Sequence, residues 1–234
     1  MRLEELENEQ RYLEGSSNKL LRSSFLYMIM GLLVTFLVPV YMVFFNPGLI
    51  NLIAKSYYAI IILEFVVVMF LSARISKMST GMSKLLFFVY SILNGFVFSL
   101  IGLAIGDVFV IGYTLVTTII MFGVTAIYGY TTKEDLSNYS SYLKTGLISI
   151  IIVSLLNIFL KAPAVYWMIT IFGVVLFSAL TAYDVNKIKN LAYEISDGDE
   201  ETIQKLGILG ALTLYLDFIN LFLYLLRIFS KKRN

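Results

Sequence analysis

Three acidic side chains stand where acids are rare. Glu64, Asp184 and Asp217 each fall within a long apolar run, whereas the remaining Asp and Glu residues lie in polar tails and turns. An ionisable group inside a membrane span is expensive, about 2.5–3.5 kcal/mol by insertion scales, and marks a functional site by default. Two carboxyls facing one cavity can bind a hard cation or share a proton. The chain contains no His and no Cys. That removes Ser-His-Asp and Cys-His catalysis, thiolate or imidazole metal sites, disulfides and imidazole pH sensing together. Proton-linked events therefore fall to carboxylates, Tyr or amines. Oxygen ligands alone suit Ca²⁺, while transition metals want the nitrogen and sulfur donors that are missing.

The spacing around these acids is informative. Gly210, Thr213, Asp217, Asn220, Tyr224 and Arg227 recur at intervals of three and four, so they form one small-and-polar seam on a helix. A hydrogen-bonding seam that holds a bundle together accounts for Thr213, Asn220 and Tyr224. A carboxylate at its centre is costlier than the Ser or Asn that would serve the same purpose. Ser178, Thr181 and Asp184 also share a face, near the end of their apolar run. Asp184 either reaches headgroup water or pairs with Arg74, which is expected at the same membrane depth. Such a pair would hold two helices shut, and acid would release them by protonating Asp184, a pH switch without histidine. Glu64 precedes Arg74 by ten residues, about 15 Å along a helix, which puts it near the bilayer centre with Asp217. These two acids are candidates for an ion pathway. A Glu64 kept protonated against a neighbouring helix accounts for its position equally well.

The elements that must position these residues are membrane helices. Of 234 residues, 59% are hydrophobic and 15% charged, against about 45–50% and 25% in globular domains. Mean hydropathy is +0.82, and the net charge of +2 creates no field directed at nucleic acid. Seven stretches are long enough to cross roughly 30 Å of hydrocarbon: Phe25–Phe45, Ala54–Arg74, Leu85–Gly106, Val108–Tyr130, Tyr142–Lys161, Ala164–Val185 and Leu206–Ile228. The fold class expected is an all-α integral membrane protein. A charged segment, 1–24, precedes a seven-helix membrane domain, 25–230, and a basic tail, 231–234, follows. The late, long first apolar run reads as a retained helix rather than a cleaved signal peptide, and the second half of the charged segment ahead of it reads as a short amphipathic helix at the interface. With the N-terminus inside, the inner segments carry twelve Lys and Arg and the outer loops only Lys55 and Lys161. Arg227, Lys231, Lys232 and Arg233 break that rule if all seven helices cross; a re-entrant last segment would restore it.

Three stretches resemble the Bax-inhibitor family of membrane proteins: Met121–Ser137, containing Ile127-Tyr128-Gly129-Tyr130; Ala182-Tyr183-Asp184; and Leu214-Tyr215-Leu216-Asp217-Phe218-Ile219-Asn220-Leu221-Phe222, followed by Leu225-Leu226-Arg227. The similarity covers about residues 20–230. It implies a last helix wrapped by the other six and a pH-sensitive calcium leak. It also implies that Asp184 and Asp217 share a proton as the pH sensor and serve as transient Ca²⁺ ligands. A second-helix arginine would latch onto the pair. Arg74 falls about one position from the placement counted from Glu64, leaving Lys77 as a substitute. Glu64 matches the family's second-helix acid. The absent histidines and the length look like a bacterial member, hence a plasma membrane with the N-terminus cytoplasmic. The expected partners are the lipid bilayer, calcium ions and protons, with no nucleic acid and no tightly bound cofactor. The chain is not expected to be an enzyme. Competing readings are a cation/proton exchanger, a scaffold with structural acids, and an intramembrane aspartyl protease using Asp184 and Asp217. Against the protease, Leu214-Tyr215-Leu216 lacks the Gly-x-Gly that resembles a substrate-admitting backbone.

Overall fold

Each apolar stretch is helical, and the helices begin and end on recognisable chemistry. In the computed structural model the backbone is described for residues 2–194 and 200–230, and the side chains for 19–191 and 200–230. The helices are α1 (Arg2–Phe45), α2 (Pro47–Lys55), α3 (Tyr57–Arg74), α4 (Thr80–Ile105), α5 (Val108–Thr131), α6 (Ser140–Leu160), α7 (Pro163–Glu194) and α8 (Glu200–Ser230), with no strand among the described residues. The expected turn at Asp197-Gly198-Asp199 and the basic tail 231–234 lie outside the described residues. Pro47 and Pro163 start α2 and α7, where a missing N–H costs nothing because the first-turn donors are unpaired anyway. The Ser79 hydroxyl accepts from the Met82 amide at 3.3 Å and caps α4. Lys161 closes α6 in the left-handed region, with φ 49°.

Seven of these helices are long and apolar enough to cross a membrane, among the described residues. The integral-membrane, all-α reading therefore stands, with three differences in detail. Asn46-Pro47-Gly48 is not just a turn but the entry to α2, a nine-residue helix that sends Ile53 into a core with Met42, Ile60 and Leu93. α1 is continuous from Arg2 through the first span, so the charged segment forms no separate helix. α7 runs on to Glu194, nine residues beyond the expected Val185. Hydropathy ends at the membrane surface, whereas helical hydrogen bonding continues into a polar stretch of good helix formers.

The chain divides into two compact units. One gathers α1–α4 with α8 as far as Tyr215; the other gathers α5, α6 and α7 up to Leu191 with α8 from Leu216. The last helix supplies the buried element of both: 67% of its apolar window is buried, against at most 44% in any other span. Leu212, Leu214, Tyr215 and Leu221 are all within 2% of complete burial. The partly exposed positions Leu209, Thr213, Leu216, Asn220, Leu223 and Arg227 recur at intervals of three and four, so the helix keeps one less-buried stripe, which takes in Thr213, Asn220 and Arg227 of the polar seam while Gly210, Asp217 and Tyr224 are buried.

The first unit has a polar anchor inside this apolar setting. The Tyr215 hydroxyl lies 2.6 Å from Thr35 Oγ1, which in turn lies 2.9 Å from the Ser91 carbonyl and 3.0 Å from that of Gly31. Thr35 has one proton to give, so Tyr215 donates to Thr35 and Thr35 donates onward. The Tyr215 ring is held edge-on by Phe87 and Tyr90, each with its centroid 5.8 Å away.

Candidate functional site

The second unit brings α7 against α5 and α8 by side chains that leave little freedom. At Gly129 the helices approach backbone to backbone: a Cβ there would collide with the Ala182 carbonyl. The Asn186 amide donates to the Gly129 carbonyl at 3.2 Å, and the Lys189 ammonium donates to the Tyr130 carbonyl at 2.8 Å. These bonds satisfy the last-turn carbonyls of α5, which have no intrahelical donors. Along α7 the partners on α8 run backwards. Gly173 lies under the Tyr224 ring, Phe177 stacks on that ring at 5.8 Å, and Asp184 faces Asp217. The pair is thus set by an antiparallel register.

Asp184 and Asp217 are 9% and 4% exposed, and their carboxyls lie within hydrogen-bonding reach of each other. Ionised carboxylates only accept, so this contact exists only when one of the two carries a proton. Asp217 Oδ2 is buried with no hydrogen-bond partner. Phe122 closes one flank of this stretch, its ring 5.5 Å from that of Phe218. The cation beside Asp184 is Lys187, three residues on along the same helix. Sequence reading missed it because the sixth span was expected to end before it.

A buried acid pair of this kind sits in the two stretches, Ala182-Tyr183-Asp184 and the run around Asp217, that carry the family resemblance. The profile described as "Inhibitor of apoptosis-promoting Bax1" matches residues 17–234. The chain belongs to the Bax-inhibitor family. Its relatives include the inner membrane protein YbhL of Escherichia coli K12, 46% identical over 180 residues and 74% of each chain. An uncharacterized protein of Borreliella burgdorferi is 38% identical over 227 residues, 93% of this chain and 94% of that one. An uncharacterized membrane protein of Streptococcus pyogenes is 33% identical over 190 residues, 80% and 81% of the two chains.

The other expected site residues of this Bax-inhibitor protein are placed as follows. Thr213 donates to the Leu209 carbonyl at 3.1 Å and Asn220 to that of Leu216 at 2.8 Å. Both thus satisfy themselves on their own helix. Tyr224 is buried against Gly173 and Phe177. Glu64 belongs to the first unit, where its Oε1 is buried without a partner. Arg74 ends α3 and Lys77 lies in the 3₁₀ turn after it; both are exposed, and neither joins an ion pair among the described residues. No cluster of three or more His, Cys, Asp or Glu able to hold a metal occurs among the described residues. Asp184 and Asp217 together offer at most four oxygens, fewer than the 6–8 that Ca²⁺ takes.

Proposed function

We propose that this Bax-inhibitor-family protein is a proton-gated calcium leak of the bacterial plasma membrane, its N-terminus cytoplasmic and its gate the Asp184–Asp217 pair. The observation that carries this reading is the carboxyl-to-carboxyl contact in a buried site. One proton joins the two groups; losing it leaves two adjacent anions in a weakly screened setting, which repel. The sign of the response follows. A latch of Asp184 on Arg74 would be undone by acid, whereas the carboxyl–carboxyl contact is undone by base. The pair therefore holds α7 to α8 at low pH and parts as pH rises.

Calcium fits as the permeant ion and not as a resident cofactor, because the pair alone supplies too few oxygens to keep it. Glu64, with an unpartnered buried oxygen in the first unit, is a separate candidate oxygen ligand for a passing cation. Conduction needs no bond-making step, so the chain acts as a conduit rather than an enzyme, with the bilayer, protons and Ca²⁺ as its partners.

The test is Ca²⁺ efflux from liposomes carrying the purified protein and a Ca²⁺ dye, followed against pH. Flux is expected to rise with pH. A profile unchanged in both Asp184→Asn and Asp217→Asn would remove the gate. The unsatisfied Asp217 oxygen also favours a second reading, cation/proton exchange, in which proton and cation alternate on one carboxyl. An imposed proton gradient that drives Ca²⁺ uphill would select the exchanger over the leak.

A further inference from the structure

We propose that the second unit carries a seat for one anionic phospholipid, with an acyl chain lying between α6 and α7 and the phosphate held by Lys161 and Arg227. The proposal stands independently of the gate.

The seat begins as a groove of about 240 Å³, lined by Ser149, Ile150 and Val153 of α6 and by Val165, Ile169 and Phe172 of α7. Its lining is almost wholly apolar, and Val153 and Met168, which also lines it, are 38% and 62% exposed, so the groove opens toward the surroundings of the helix pair. Its deep end is closed where Gly146 lets the helices meet: a Cβ at Gly146 would lie 3.1 Å from Leu176 Cδ1 and 3.7 Å from Phe172 Cζ. Along α6, Val153 and Ser149 lie about 12 and 18 Å below Lys161 at 1.5 Å per residue. Half of a ~30 Å hydrocarbon core is about 15 Å. The α6 lining therefore lies near the middle of the hydrocarbon, and the α7 lining, from Val165 to Phe172, runs about 10 Å from near the turn toward it, so the groove takes part of an acyl chain whose headgroup sits at the turn.

The charges at its mouth select the headgroup. Lys161 is exposed at the α6–α7 turn, held in the left-handed region. Arg227 is exposed and stacks over the rings of Tyr166 at 5.7 Å and Tyr224 at 5.1 Å. Tyr166 adjoins Val165, which lines the groove, and its amide bonds to the Ala162 carbonyl of the same turn. Among the described residues neither Lys161 nor Arg227 joins an ion pair. The acids of this unit are elsewhere: Glu134 and Asp135 lie before α6, a full helix length from Lys161, and Asp184 and Asp217 face each other. Two uncompensated cations above an apolar groove complement an anionic lipid, and the aromatic stacking holds the arginine at headgroup depth instead of leaving it to swing.

Trp167, the single tryptophan of the chain, adjoins Tyr166, with ring centroids 6.4 Å apart. It reports on the mouth directly. The protein would be reconstituted in phosphatidylcholine vesicles containing rising fractions of brominated phosphatidylglycerol or, separately, brominated phosphatidylcholine, and Trp167 quenching measured. The expected result is stronger quenching by the glycerol lipid at equal fraction. Lys161→Gln and Arg227→Gln should each lower that preference about fivefold, the effect of one basic residue beside anionic lipid. Val153→Phe, which fills the groove, should reduce quenching by both lipids. Equal quenching by the two headgroups, or a preference untouched by both Gln variants, overturns the anionic seat; quenching unchanged in Val153→Phe overturns the acyl groove.

Discussion

The carboxyl of Asp184 on α7 meets the carboxyl of Asp217 on α8 within hydrogen-bonding reach, both shielded from solvent. A contact between two acceptors is conditional on a proton, and that condition can be removed by chemistry. Asp217→Asn puts an amide donor where the shared proton would sit. The contact then persists at every pH, and Ca²⁺ flux in liposomes is expected to be low and flat, about tenfold or more below the unaltered protein at alkaline pH. That ratio corresponds to a charge-assisted hydrogen bond of about 1.5–3 kcal/mol. Asp217→Ala removes the contact altogether, and its flux is expected to be high and equally flat. A variant pair with the same pH slope as the parent would count against the gate.

Gly129→Ala should be costly in a way that Gly123→Ala is not. Both lie in α5, but a Cβ at 129 strikes the Ala182 backbone, whereas at 123 it meets nothing within 4 Å. Backbone cannot rotate aside as a side chain can, so a loss of about 1–3 kcal/mol is expected at 129. At 123 the helix is expected to gain up to about 1 kcal/mol from reduced backbone freedom. Thermal unfolding of the two variants in detergent gives the comparison.

Tyr215→Phe keeps the ring contacts with Phe87 and Tyr90 and deletes the phenol hydroxyl that bonds to Thr35 at 2.6 Å and also reaches Ser91. Combined with Thr35→Val in a double-mutant cycle, the coupling is expected at about 0.6–1.7 kcal/mol, the range for hydrogen bonds between membrane helices. A coupling of zero would mean that the two hydroxyls contribute separately.

Asp135 offers a test outside the membrane spans. Its Oδ1 accepts from the Ser137 amide at 3.0 Å, and bonding to Ser137 holds its carboxyl below the usual carboxylate range. A lowered value in the folded state means that the bond contributes fully above the ordinary range and is lost as pH falls through the lower, folded value. The Ser137 amide resonance should therefore shift at a pH below that of a free aspartate, and Asp135→Ala should abolish the shift.

Much of this architecture was legible in the residues. The seven spans follow from apolar run length alone, and Asp184 and Asp217 stood out because water cannot reach a carboxyl within such runs. The passages that misled were those where hydropathy and helicity part company. Asn186, Lys187 and Lys189 look like a loop to a hydropathy window, yet they continue α7 and lock it to α5. Pro47 looks like a turn, yet its fixed φ suits the first residue of α2. The spacing of Gly129 and Ala182 in sequence holds no sign that their backbones would touch, because that depends on which helices become neighbours. Arg74 and Lys77 were singled out by charge and depth, but a long exposed side chain can satisfy itself in water or headgroups.

The continuity of α8 has a consequence for how the protein is made. It emerges from the ribosome after the seven other helices, and it provides the buried element of both units, with the changeover falling between Tyr215 and Leu216. Neither unit can complete its interior until that helix arrives. The earlier spans must therefore wait in the bilayer with Thr35 and Asp184 lacking the partners they will have on α8. A stop or a slow stretch of translation before α8 would strand both halves at once, and membrane quality-control proteases would meet two unfinished interiors rather than one finished unit and one fragment.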